Sequence, residues 1–320
     1  MTETIETQVP ILSRAVYLEA LQVFDFSLCE ALAVGQAQAG RMAAPNVGYA
    51  THVFARMSSL ATSIALVAPL SRWRRTEFEH WDFGALAGFT RGILEAHLLF
   101  NYLIAPSESH DELRARINIM HMNDCVRRIE LHQDLGANEE ELRGFEEQRA
   151  ELQQRLESNP YFLTLPGAVQ RSCVRGKYLM IASRDEMLER VGFDKGRFDA
   201  FYDLCSQHTH VLPMSFYRME PNGRGTGIEN NTDRSYLAMA LMVSAKILEE
   251  ATNTMVLHFT DVAGVRRGTS SEFSPGPHAN RRRPRPSNVQ VSPPLHPLWD
   301  EFLSSHPSNN LFAQDLPPRA

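Results

Sequence analysis

Lysine is nearly missing from this chain, standing only at 177, 195 and 246 against 29 arginines. An exchange of that extent reads as genomic composition and assigns no chemistry. Cysteine is scarce as well. The four thiols, at 29, 125, 173 and 205, lie far apart with no CxxC pair. A disulfide framework and a zinc site are therefore not expected, and the thiols are read as reduced and buried in a cytoplasmic protein. Long apolar runs are lacking too. Stretches such as "IALVAPL" and "YLAMALMV" are too short to cross a bilayer, and the polar, acidic start "MTETIETQVP" is no signal peptide. Neither a GxGxxG nor a Walker loop occurs. "NGRGTG" (222–227) lacks the Walker lysine and a preceding strand, so it reads as a plain flexible loop. Only Glu77–His80 has the E-x-x-H spacing, of which a di-iron site needs two. No cofactor, no metal and no membrane partner are expected.

What is present is helix. Hydrophobic content of 43% and charged content of 22% suit a globular chain able to bury a sizeable core. Apolar residues recur at 3–4 spacing from Ile11 to Gly40, from Tyr49 to Val67, and from Asp82, an N-cap, to Ile104. Residues 108–134 and 138–157 form a helical hairpin, with Gly136 in the turn and Asn138 and Glu141 placed for a capping box. Its two seams are read as Leu113, Ile117, Met120, Asp124, Arg127 and Leu131 against Leu142, Phe145, Arg149, Leu152 and Leu156. Asp124 would then meet Arg149 in a polar layer, and the arm would project on the order of 30–40 Å. Residues 159–180 carry no clear period and read as a connector. Helices follow near 183–191 and 197–212, and a last one, 232–259, is expected at the centre of the core. No strong strand signal occurs.

Composition changes after Ala263. More than half of the 18 prolines fall there, and residues 264–320 carry a net +3 against −9 for the rest. The expected architecture is thus all-α. A mostly antiparallel helical bundle spans 10–262, with a projecting hairpin at 108–157. Residues 1–9 are expected to be flexible, and residues 263–320 to be a disordered Pro/Arg-rich tail. In that tail "RRRPRP" reads as a basic linker or a contact for nucleic acid. "HPLWDEFLSSHPSNNLF" offers a short helix at 296–304 able to dock on a partner or on its own bundle.

Helix 82–104 holds the residues that point to chemistry. Arg91 and Glu95 lie about 40° apart on one face, beside Gly84, Ala87 and Gly88, and His97 lies about 200° from Glu95. The pair reads either as a buried structural ion pair joining helices or as a cationic notch for an anionic group. Breaking a buried pair costs roughly 3–5 kcal/mol, so stability alone would retain both partners. His97 faces core-lining residues. A second group lies at 196–213, where Ser206 and His210 stand at i,i+4 with Asp203 near. A hydroxyl beside an imidazole admits general-base activation or a helix-packing polar network.

With Arg91/Glu95 as "R-x-x-x-E" and Ser206/His210 as "S-x-x-x-H", the chain resembles bacterial all-helical proteins of unknown function that carry these two helices in this order. Such proteins look loosely similar to the HEPN superfamily, whose active members are metal-independent ribonucleases with an Arg-x(4–6)-His motif. "RGILEAH", from Arg91 to His97, has that spacing, although Gly92 stands where the motif has a polar residue. The residues themselves favour a non-catalytic interaction or assembly module, with a protein partner or a second copy of the chain. The resemblance implies the alternative, a toxin- or defence-type ribonuclease acting on RNA through Arg91 and His97.

Overall fold

A computed structural model describes residues 12–217, 223–271 and Ser274. The chain is all-α, and among the described residues no strand forms beyond a single antiparallel bridge between Trp81 and Gly227. Five helices come first: α1 Arg14–Gln38, α2 Pro45–Val67, α3 Gly84–Ile104, α4 His110–Asp134 and α5 Glu139–Glu157. Six follow: α6 Pro160–Thr164, α7 Gly167–Val174, α8 Arg184–Val191, α9 Lys195–Thr209, α10 Pro213–Phe216 and α11 Asn231–His258. The chain divides into two compact units, one of residues 1–43, 47–100 and 188–320 and another of 44–46 and 101–187. The expected N-terminal segment 1–9 and the short helix at 296–304 lie outside the described residues.

The first unit is built around α11. Eleven consecutive residues, Ser235 to Ala245, are buried, so every direction around this helix faces protein. A helix with no polar face is stable only when enclosed. Alanines at 238, 240, 245 and 251, with Ala20, Ala31 and Ala33 on α1, keep side chains short where α1 and α11 pack. Local capping starts these helices where the sequence allows. Ser13 accepts from Val16 N–H, and Asn230 from Asp233 N–H. The chain after α11 is clamped back on α1: buried Glu30 accepts from Arg266 Nε at 2.5 Å and from the Gly268 amide at 3.1 Å.

One expectation changes here. The loop read as plain and flexible is pinned over its described part. Gly225 N–H donates to Asp233 at 2.7 Å, and Trp81 N–H donates to the Gly227 carbonyl at 2.9 Å. Gly227 has φ +81°, and a Cβ there would lie 2.5 Å from the His80 ring. The last long helix begins at Asn231, as its Asn230 cap dictates.

The second unit contains the hairpin of α4 and α5. Its capping box forms as the spacing requires, with Asn138 accepting from Glu141 N–H and Glu141 accepting from Asn138 N–H. Leu142, Leu152 and Leu156 are buried, but the expected α4 seam is displaced. The buried positions are Glu112, Ala115, Arg116, Ile119, Met122, Cys125 and Ile129, while Leu131 is exposed. Asp124 does not meet Arg149. It accepts from Arg128 on its own helix at 2.7 Å, and Arg149 lies 3.4 Å from Glu146. The physical reason is that α4 packs on more than α5. The supposed connector 159–180 folds into α6 and α7, whose Phe162 and Cys173 join the same apolar cluster and broaden the stripe. Arg116 is buried because its guanidinium pairs with Glu112 and donates to the Ala105 carbonyl at 3.1 Å.

Gly268 tests the C-terminal clamp. It has φ +50°, and an added Cβ would clash with the Phe26 ring, whereas Gly40 has φ +72° with open space around it. Gly268→Ala should destabilise by the left-handed strain of about 1–2 kcal/mol plus an overpacking cost of about 1–3 kcal/mol. Gly40→Ala should show the strain alone. Urea unfolding of the two variants checks this, and equal losses would contradict the clamp.

Candidate functional site

Helix α3 starts where Asp82 accepts from the Gly84 amide at 2.9 Å, and α9 starts where Asp194 accepts from Arg197 N–H at 2.8 Å. Lacking a side chain, Gly88 lets the end of α9 come near. A Cβ placed on it would contact Thr209 Oγ1 at 3.7 Å. Together these set one face of α3 beside the C-terminal turns of α9.

Four side chains meet there. Arg91 Nη2 donates to Tyr202 Oη at 2.9 Å, and Tyr202 in turn donates to Glu95 Oε1 at 2.6 Å. Arg91 Nη1 lies 2.6 Å from His210 Nε2. Guanidinium nitrogens only donate, so that imidazole nitrogen accepts and the ring proton sits on Nδ1. Arg91 Nε is 3.3 Å from Glu95 Oε1, yet its N–H is not aligned with a partner, so this contact is electrostatic. The guanidinium carbon also lies 4.9 Å from the Tyr202 ring centroid. The Tyr202 hydrogen bond, with Glu95 alongside, raises the Arg91 pKa above its ordinary value. Burial, with Glu95 accepting its proton, raises that of the Tyr202 phenol.

The cluster is not buried, contrary to expectation. The side chains of Arg91 and Glu95 are 23% and 53% exposed, and His210 lies on the surface. Tyr202 covers the pair from one side only. Ser206 does not supply a hydroxyl to an imidazole, because it donates to the Tyr202 carbonyl at 2.7 Å within its own helix. Helix α9 also ends at Thr209, one residue before His210, and Val211 follows with φ +52°. The two "motif" helices therefore meet through Arg91, Glu95 and His210, with Tyr202 as the joining residue.

His97 lies elsewhere. It is 1% exposed, packs 5.4 Å from the Phe193 ring centroid, and approaches Glu250 Oε2 at 3.5 Å. Burial pushes its pKa down to about 4, so the contact with Glu250 is polar and not an ion pair. Arg91 and His97 thus share no surface. His208 lies near the end of α9, whose Phe198, Phe201, Leu204 and Cys205 form its buried apolar stripe; it meets Phe83 edge-on at 4.8 Å, and burial takes its pKa down to about 4 too.

Sequence reasoning missed Tyr202 as a polar participant, and it missed the segment after His210. Val211, Leu212, Met214, Phe216 and Tyr217 are exposed although all are large and apolar. The signal was there as "VLPMSFY", an apolar run with no amphipathic period. Among the described residues no group of three or more His, Cys, Asp or Glu is placed to hold a metal ion. No described helix is long and apolar enough to cross a membrane. No protein-family model, curated protein or solved structure matches the chain.

The buried imidazole has a pH signature. With a folded pKa near 4 against about 6.5 unfolded, His97 is protonated in the unfolded chain first as pH falls. Its contribution is intact above pH 6.5 and is lost progressively between 6.5 and 4, at up to about 1.4 kcal/mol per pH unit. Glu250, whose pKa burial raises, acts in the opposite sense above its unfolded value. Comparing urea unfolding of wild type and His97→Leu from pH 4 to 7 isolates the histidine. The variant should lose less stability on acidification, and parallel curves would contradict a neutral buried His97.

Proposed function

We propose that this chain is a non-catalytic interaction and assembly module. Its contact surface would combine the exposed Val211–Tyr217 segment with the Arg91–Tyr202–His210–Glu95 cluster. One observation carries the reading: a hydrogen-bonded polar cluster at the surface leads, through adjacent chain, into five exposed apolar side chains within residues 211–217. Apolar surface rimmed by fixed polar groups is the composition of protein contact sites, with aromatic and methionine side chains as anchors and arginine at their edge.

A second reading rests on the 2.6 Å separation of Arg91 and His210. Once substrate draws Nε2 away from Arg91, the imidazole would take the proton of a ribose 2′-hydroxyl as that oxygen attacks the adjacent phosphorus; the guanidinium would hold the charge of the phosphorane, and the 5′-oxygen would leave with a proton from water. This is metal-independent RNA cleavage, in which His210 would fill the place that the Arg-x(4–6)-His resemblance gives to His97.

The two readings separate by experiment. Tagged chain is cross-linked in the cells that make it and purified, and the full-length protein is incubated with total RNA in EDTA. The module reading expects a defined co-purifying protein that Phe216→Asp loses at unchanged melting temperature, with RNA left whole. RNA cleaved by the wild type and spared by His210→Ala would overturn it in favour of the second reading.

A further inference from the structure

The segment after α9 is an unusual surface because its backbone is hydrogen-bonded while its apolar side chains are exposed. Val211 N–H donates to the His208 carbonyl and Leu212 N–H to that of Gln207, at 3.3 and 2.9 Å. Ser215 N–H donates to the Leu212 carbonyl and Tyr217 N–H to that of Pro213, at 2.8 and 2.7 Å. The Arg224 guanidinium holds the Met214 carbonyl from outside and lies 5.8 Å from the Tyr236 ring centroid, which ties the segment to α11. Val211 adopts φ +52°, a conformation that β-branched residues avoid and that persists only where the surroundings impose it. The outcome is a rigid platform on which Val211 is 69%, Phe216 51% and Tyr217 66% exposed. A fixed backbone forgoes the usual escape, in which a loose apolar loop turns its side chains inward.

The chain itself contains an occupant of fitting chemistry. The described structure ends at Ser274, whose hydroxyl accepts from Arg72 Nη2 at 2.7 Å in the same unit as the platform. From there 46 residues follow, and within them Leu298, Trp299, Phe302 and Leu303 fall on one side of a helix that Pro297 would start. The 21 residues between Ser274 and His296 span about 70 Å when extended, and about 25 Å as a coil. A compact domain of this size has a radius of gyration of about 16 Å, so any point on its surface is within reach. Charge agrees as well. Asp300 and Glu301 stand beside the apolar stripe, while the platform is flanked by Arg91 at its His210 end and by Arg224 at Met214.

We propose that residues 296–304 dock in cis on the Val211–Tyr217 platform as a short helix, with Trp299 and Phe302 against Met214 and Phe216. This rests on the platform being a contact surface, and it makes the tail an internal competitor for the partner. A partner then binds by displacing the tail, so its affinity is reduced by the fraction of chains in which the platform is closed.

Hydroxyl-radical footprinting of the full-length chain tests this, with mass determined by light scattering on the same samples. Wild type is compared with Trp299→Asp/Phe302→Asp and, reciprocally, with Phe216→Asp, each checked for an unchanged melting temperature. Met42, 99% exposed, serves as the internal reference. Expected are monomers in which oxidation of Met214, Phe216 and Tyr217 rises severalfold in the tail variant, and that of Trp299 rises in Phe216→Asp, both relative to Met42. Oxidation of the platform equal in wild type and tail variant would overturn the proposal. At an exposed level in monomers it removes the tail and leaves the surface open to an external partner. At a protected level in dimers it assigns the platform to a second copy. Loss of the co-purifying protein in Phe216→Asp is a separate readout, so the tail can fail while the contact surface stands.

Discussion

Enclosure of α11 is the constraint on which the first unit depends. A helix with eleven successive buried residues has no side on which water is tolerated, so its neighbours must surround it. Small residues on α1 and α11 let those two helices approach, and the segment after α11 returns over α1 through Arg266, Gly268 and Glu30. The loop before α11 is drawn in by Asp233, 1% exposed, which accepts from both Gly225 and Asn230. With these positions taken, the polar face of α3 is left outward beside α9, and that is where Arg91, Glu95, Tyr202 and His210 meet.

The same enclosure separates the two histidines that α3 and α9 might have offered to one reaction. His97 points inward toward Phe193 and Glu250 and stays neutral, while His210 follows the last turn of α9 at the surface. Helical phase alone dictates the first placement. The second arises because α9 stops one residue short of His210 and the chain turns at Val211. On the α3–α9 surface Arg91 is thus both hydrogen-bonded and partly exposed.

Much of the fold was legible because capping and periodicity are local. Asn138 and Glu141 stated the start of α5, and Asp82 stated the start of α3. The α4 stripe was misjudged for a nonlocal reason. Arg116 and Glu112 count as polar in a pattern, yet they neutralise each other and lie buried, while Leu131 counts as apolar and lies exposed. The i,i+4 relation of Arg91 and Glu95 could be read from spacing, and so could the opposite facing of His97. That the pair would be covered on one side only could not. Tyr202 lies 111 residues from Arg91, its ring belongs to the apolar stripe, and only the packing of α9 turns its hydroxyl toward Glu95. The exposed platform also escaped notice, since an apolar run after a helix looks in sequence like more core.

Arg91 joins α3 to α9 at the surface, bonding Tyr202 on α9 and His210 just beyond its end. A double-mutant cycle measures it most directly, with Arg91→Gln, His210→Gln and the double variant compared by urea unfolding at pH 7.5. A coupling on the order of 0.5 kcal/mol or more is expected for partners sharing a hydrogen bond. Strict additivity of the two substitutions would contradict it.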